Sequence, residues 1–116
     1  MGENVIYKLS KKFAPRIIKL YKYLNDEKKE FVISKQLYRS ATSIGANIAE
    51  SIYAQSEADY INKLKISLKE ASESKYWLEL LFESEKLDQA KYDSIINDLN
   101  TIIGTIINII NKIQKK

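Results

Sequence analysis

A chain of 116 residues and 13.4 kDa, 45% of them hydrophobic, is long enough to bury one core and too short for two. Three glycines and one proline leave little material for strand turns, and the absence of cysteine and histidine removes disulfides, thiolate chemistry and the commonest general base and metal ligand. The formal charge of +4 and pI near 9.1 give a mild bias towards anionic partners, whose weight depends on where the charges sit.

The first predicted helix runs from Asn4 to Asn25. Val5/Ile6, Leu9, Phe13, Ile17, Leu20 and Leu24 recur at helical spacing and form one apolar stripe. Pro15 falls inside it and predicts a kink or break near Lys11 to Ala14. Lys8, Lys11, Lys12, Arg16, Lys19 and Lys22 lie within about 140° of the wheel, opposite the stripe, with no acid between Glu3 and Asp26. A solvated face normally mixes signs, because like charges four residues apart repel. A single-sign face suits a polyanion whose phosphates release counterions on binding, although it also serves simply to keep a protein in solution. Lys112, Lys115 and Lys116 add positive charge at the other end of the chain.

After the charged segment Asp26–Glu30, read as a solvated linker, Ser34 is the expected N-cap of a second helix reaching Ala54. Its core face reads Leu37, Ala41, Ile44, Ile48 and Ile52. Ser40, Ser43, Gly45, Ala46, Ala49 and Ser51 are small, so this helix needs close neighbours and is expected to be the most enclosed. Gln36, Arg39, Ser40, Ser43, Asn47 and Glu50 make a polar seam beside the apolar face, whose hydrogen bonds Arg39 with Glu50 would satisfy within the bundle or across a subunit boundary; Arg39 as a phosphate ligand is the other reading.

Ser56, with Asp59 three residues on, caps a third helix carrying Tyr60/Ile61, Leu64, Leu68, Ala71, Tyr76/Trp77/Leu78 and Leu81/Phe82. Its aromatics are read as core or interface anchors rather than base-stacking platforms. A link at Ser84–Leu87 leads to Asp88, the cap of a fourth helix. Tyr92, Ile95/Ile96, Leu99, Ile102/Ile103, Ile106/Ile107, Ile109/Ile110 and Ile113 cover about 160° of that helix, more than one subunit's core consumes. The surplus strip, with Ile103, Ile107 and Ile110, is the expected oligomer interface.

These segments predict a single all-α domain over residues 1–116, an up-down antiparallel four-helix bundle. No apolar run reaches the ~18 residues of a membrane span, and Met1-Gly2-Glu3-Asn4 lacks the pattern of a secretory leader, so a cytoplasmic location away from membranes is expected. Without His, a Walker loop or a nucleophile motif, no catalytic residue, metal site or cofactor is expected, and Glu70, Glu73, Glu79 and Glu83 read as solvated acids.

The string Ser34-Lys-Gln-Leu-Tyr-Arg-Ser-Ala-Thr-Ser-Ile-Gly-Ala-Asn-Ile-Ala-Glu50, with Tyr53-Ala-Gln-Ser56, Ile66-Ser-Leu-Lys-Glu-Ala71 and Lys75-Tyr-Trp-Leu-Glu-Leu-Leu81, resembles the bacterial four helix bundle family of 23S rRNA-intervening sequence proteins. The resemblance is strongest from Phe31 to Phe82. It implies an up-down bundle assembled into a ring-shaped homopentamer, and makes Gln36, Arg39, Ser40, Asn47 and Glu50 signature residues without a catalytic role. A similar protein, the accessory variability determinant of diversity-generating retroelements, is a basic pentamer that engages nucleic acid and a reverse transcriptase. Two functions follow as expectations. One is RNA or DNA binding, with Lys8, Lys12, Arg16 and Lys19 on phosphates; the alternative is a scaffold docking a protein partner such as a reverse transcriptase.

Overall fold

Loops of five or six residues are too short to cross the molecule, so each helix runs antiparallel to the next. In the computed structural model, which describes residues 2–115 and side chains from Val5 to Lys115, the helices are α1 (Gly2–Asp26), α2 (Ile33–Ser51), α3 (Glu57–Glu83) and α4 (Gln89–Gln114). Lys116 lies outside the described residues. The helices form an up-down bundle of 47 × 21 × 19 Å, in which α1 packs on α2 and α4, and α3 on α2 and α4. α1 and α3 are therefore diagonal to one another.

The apolar stripes meet along the axis. Ile6, Phe13, Ile17, Leu20 and Leu24 of α1 face Leu37, Ala41, Ile44 and Ile48 of α2, Leu64, Ala71, Leu78 and Leu81 of α3, and Ile95, Leu99, Ile102 and Ile106 of α4. Every one is buried. Tyr92 of α4 stacks on Phe82 of α3 at 4.6 Å and ties the last two helices together. Tyr60 and Trp77 pack partly buried against the core, whereas Tyr76 is exposed and meets the Trp77 ring edge-on at 5.1 Å.

α1 is one unbroken helix through Pro15, so the expected break is absent. The physical reason is position. Pro15 is exposed, so the Lys11 carbonyl deprived of its backbone donor faces water, while Phe13 and Ile17 on the other side are held by the core.

Ser34 does not cap α2. It sits buried in the first turn, with its Oγ donating to the Glu30 carbonyl at 2.8 Å and to Asn25 Oδ1 at 3.1 Å. The cap is Glu30, whose carboxylate accepts from the backbone N–H groups of Val32, Ile33 and Ser34 at 3.2, 3.0 and 2.6 Å. Partial burial pushes this carboxyl up, and the three backbone donors outweigh it, holding Glu30 below the usual carboxylate range. The helix also ends earlier than expected, at Ser51, which leaves Ile52 half exposed instead of in the core.

The caps of α3 and α4 follow the sequence reading. Ser56 Oγ accepts from Asp59 N–H at 3.1 Å while Asp59 accepts from Gln55 N–H, and Asp88 accepts from Lys91 N–H at 2.8 Å. α3 closes on a Schellman turn, in which Lys86 N–H donates to the Leu81 carbonyl and Glu85 N–H to the Phe82 carbonyl. Glu85 takes the left-handed position at φ 64°, where glycine is usual.

Small residues make α2–α3 the closest pairing. Ser40 and Ser74 share a hydrogen bond of 2.8 Å in full burial, and Ser67 Oγ donates across to the Ile44 carbonyl at 2.9 Å. Among the described residues, no buried side-chain polar atom lacks a partner. Seven of the 19 residues of α2 are buried, three of them serines, which matches the expectation of an enclosed helix.

Candidate nucleic-acid interface

The basic face of α1 survives folding as a surface. Lys8, Lys11, Lys12, Lys19 and Lys22 are all exposed, and Lys11 alone leans on a ring, its Nζ 5.9 Å from the Tyr7 centroid. Arg16 behaves differently. It reaches across to α4, donating to Asp98 Oδ2 at 2.5 Å and to Ser94 Oγ at 2.6 Å. Its side chain is 39% exposed, so one side of the guanidinium is neutralised while the rest faces solvent.

Placement of the other helices sharpens the charge pattern. α1 carries six bases against Glu3 and Asp26, whereas α3, diagonal to it, carries Lys63, Lys65, Lys69 and Lys75 against six acids. One edge of the bundle is thus basic and the opposite edge acidic. At the far end of α4, Lys112 and Lys115 extend the positive charge.

The seam between α1 and α4 is open. It holds a groove of about 500 Å³ lined by Arg16, Lys19, Leu20, Tyr23, Lys91 and Ile95, among others, and a smaller recess of about 120 Å³ further along, where Lys12 faces Asp98. The sequence reading missed Lys91 and Tyr23. Lys91 lies on another helix, so no wheel of α1 includes it, and its Nζ sits 5.1 Å from the Tyr23 ring centroid and 3.2 Å from Asp88.

The signature residues of α2 fall into separate roles. The seam is satisfied within the bundle: Arg39 bridges Glu70 and Glu73 of α3, while Glu50 accepts from Lys63 Nζ at 2.8 Å. Arg39 and Glu50 stand eleven residues apart, about 16 Å along one helix axis, and each finds its own partner on α3. Hydrogen bonds from the Trp77 indole and from Arg39 hold the Glu73 carboxyl below its ordinary value, and the Glu73 bond in turn pushes the Arg39 guanidinium up. Asn47 donates to the Ser43 carbonyl of its own helix at 2.8 Å, Ser40 is buried, and Gln36 is exposed. Arg39, Ser40 and Glu50 clamp α2 to α3.

On α4 the surplus of apolar surface is narrower than the wheel suggests. Ile110 is only 6% exposed and belongs to the core of the chain itself, so it leaves the strip. Ile107 stays 40% exposed, flanked by half-buried Ile96 and Ile103. Among the described residues, no group of acidic side chains is arranged to hold a metal ion, and no helix is long and apolar enough to cross a membrane.

Comparison with known proteins agrees with this architecture. The family model described as 23S rRNA-intervening sequence protein matches residues 2–108. A solved structure from Bacteroides thetaiotaomicron, described as a protein of unknown function from the S23 ribosomal protein family, is 55% identical. It aligns with a TM-score of 0.94 over 96% of this chain and 99% of that one. No curated protein matches the chain.

Proposed function

The chain belongs to the 23S rRNA-intervening sequence protein family, and from that membership and the charge layout of α1 we propose that it is a non-enzymatic, homo-oligomeric nucleic-acid-binding protein of the cytoplasm. The observation that carries the proposal is the exposed, acid-free face from Lys8 to Lys22, set diagonally across the bundle from the acidic α3. Lys8, Lys12, Lys19 and Lys22 hold phosphates through charge and read no bases. Arg16, half committed to Asp98, contributes from the edge of the α1–α4 groove.

The subunits join through the strip around Ile103 and Ile107, in a pentamer by analogy with the family resemblance. Assembly multiplies the field of one basic edge without adding any new contact. Binding in this mechanism needs no cofactor, and the clamp of Arg39 on Glu70 and Glu73 serves packing.

Replacing Lys8 and Lys22 together by Glu tests the reading. Both side chains are exposed, so helix content by circular dichroism is expected to stay unchanged. Affinity for RNA and DNA in a gel shift at low salt is expected to drop at least tenfold. Equal affinity of variant and wild type removes α1 from the mechanism, and favours the second reading, in which the bundle is a scaffold for a protein partner such as a reverse transcriptase.

A further inference from the structure

A field of lysines on a convex helix holds any polyanion and does not distinguish a single strand from a duplex. The α1–α4 groove adds something that field lacks, which is apolar surface directly beside cations. Lys19 stands on one wall and Lys91 on the other, Arg16 is fixed at the rim by Ser94 and Asp98, and Leu20, Tyr23 and Ile95 supply ring and aliphatic surface between them. No carboxylate is among the residues lining this groove; the Asp88 partner of Lys91 lies outside it. At about 500 Å³ the space is of the size that takes a ring-bearing small ligand.

The geometry points to this groove as the seat of one unpaired nucleotide of a single strand, its base taking the place that the Lys91 ammonium holds over the Tyr23 ring, beside Leu20 and Ile95, and its phosphates reached by Lys19 and the displaced Lys91 from opposite walls. This rests on the nucleic-acid reading of α1 and narrows its ligand to single-stranded nucleic acid. A duplex keeps its bases stacked inside and offers nothing to the apolar floor, whereas a splayed base has a face for every aromatic it meets. Placement favours the same occupant. Lys91 and Ile107 lie about 160° apart around α4, so assembly through the isoleucine strip leaves the groove open to a strand running along α1.

The test is fluorescence anisotropy of the full chain with a labelled oligo(dT) of about 12 nucleotides, a length within the range such grooves engage. The matched duplex, the same strand made abasic throughout, and free thymidine monophosphate as competitor are the other probes. Tyr23→Leu and Lys91→Gln are the variants, with helix content and melting checked for the half-buried Tyr23. Each substitution is expected to weaken the oligo(dT) complex about fivefold. Tyr23→Leu is expected to leave the abasic strand unaffected, and the duplex is expected to bind more weakly than the single strand.

Wild-type affinity in both variants, or a duplex held as tightly as the strand, overturns the proposal. Competition by thymidine monophosphate at equal nucleotide concentration overturns it in favour of a free-nucleotide site. If Lys8→Glu with Lys22→Glu weakens binding while the groove variants do not, the groove falls and the basic face of α1 stands. If the wild type binds no nucleic acid at low salt, both fall.

Discussion

Glu30 illustrates how one side chain decides an element boundary. The chain between α1 and α2 looks like a run of solvated charge, yet this carboxylate satisfies three of the four orphan N–H groups that begin α2. Glu30→Ala is expected to cost about 1 kcal/mol, measured by chemical denaturation at pH 7. The pH dependence has a definite sign. A carboxyl held below its ordinary value of 4.5 stabilises the fold fully above that value and loses the contribution as pH falls through the lower, folded one. The gap between wild type and Glu30→Ala should therefore shrink as pH falls below 4.5. A gap that is constant with pH would mean that the carboxylate is not the cap. Ser56 and Asp88 were legible as caps because each sits one residue before its helix and bonds forward within a turn. Glu30 was not, since it acts from three residues before the helix and follows a left-handed Lys29 that no turn residue announces.

Between helices, the information in the sequence was the face and not the partner. The small residues of α2 announced a close approach, and it is realised against α3, where Ser40 meets Ser74 and Ser67 meets the Ile44 backbone. The wheel placed Arg39 and Glu50 on a common seam but had no means of knowing that Glu70, Glu73 and Lys63 wait across it. At Pro15 the helix does not break, because the position lies on the solvent side of a helix whose other face the core holds. The tightness of the α2–α3 seam is testable. Ser40→Leu is expected to destabilise the subunit by about 1–3 kcal/mol, because a fully buried position with a neighbouring oxygen at 2.8 Å has no room for three further carbons. Ser40→Ala removes one shared bond and should cost less, about 0.5–1.5 kcal/mol. A denaturation midpoint equal for Ser40→Leu and wild type would contradict such close packing.

On the scale of the whole molecule, the two flanks of α4 differ in character. One carries Lys91, Ser94 and Asp98 towards α1; the other keeps Ile107 exposed beside Ile96 and Ile103. The bundle itself was readable from four stripes of 3.6-residue period and the lack of turn formers. Which isoleucines remain outside was not, because only packing reveals that Ile110 is consumed by the core. For the proposed pentamer, size exclusion with light scattering should give about five times the subunit mass of 13.4 kDa, and Ile107→Glu should return a single subunit with unchanged helix content. A wild type of 13.4 kDa at high micromolar concentration would exclude the assembly. The central claim, however, concerns charge. Four exposed lysines of α1 on single-strand phosphates predict that log affinity falls with log salt at a slope of about −3 per subunit engaged. The most direct measurement is that slope, from anisotropy titrations of the wild type with oligo(dT) between about 50 and 200 mM salt. A steep linear fall is the expected result, and an affinity indifferent to salt, or no binding at the lowest salt, would contradict it.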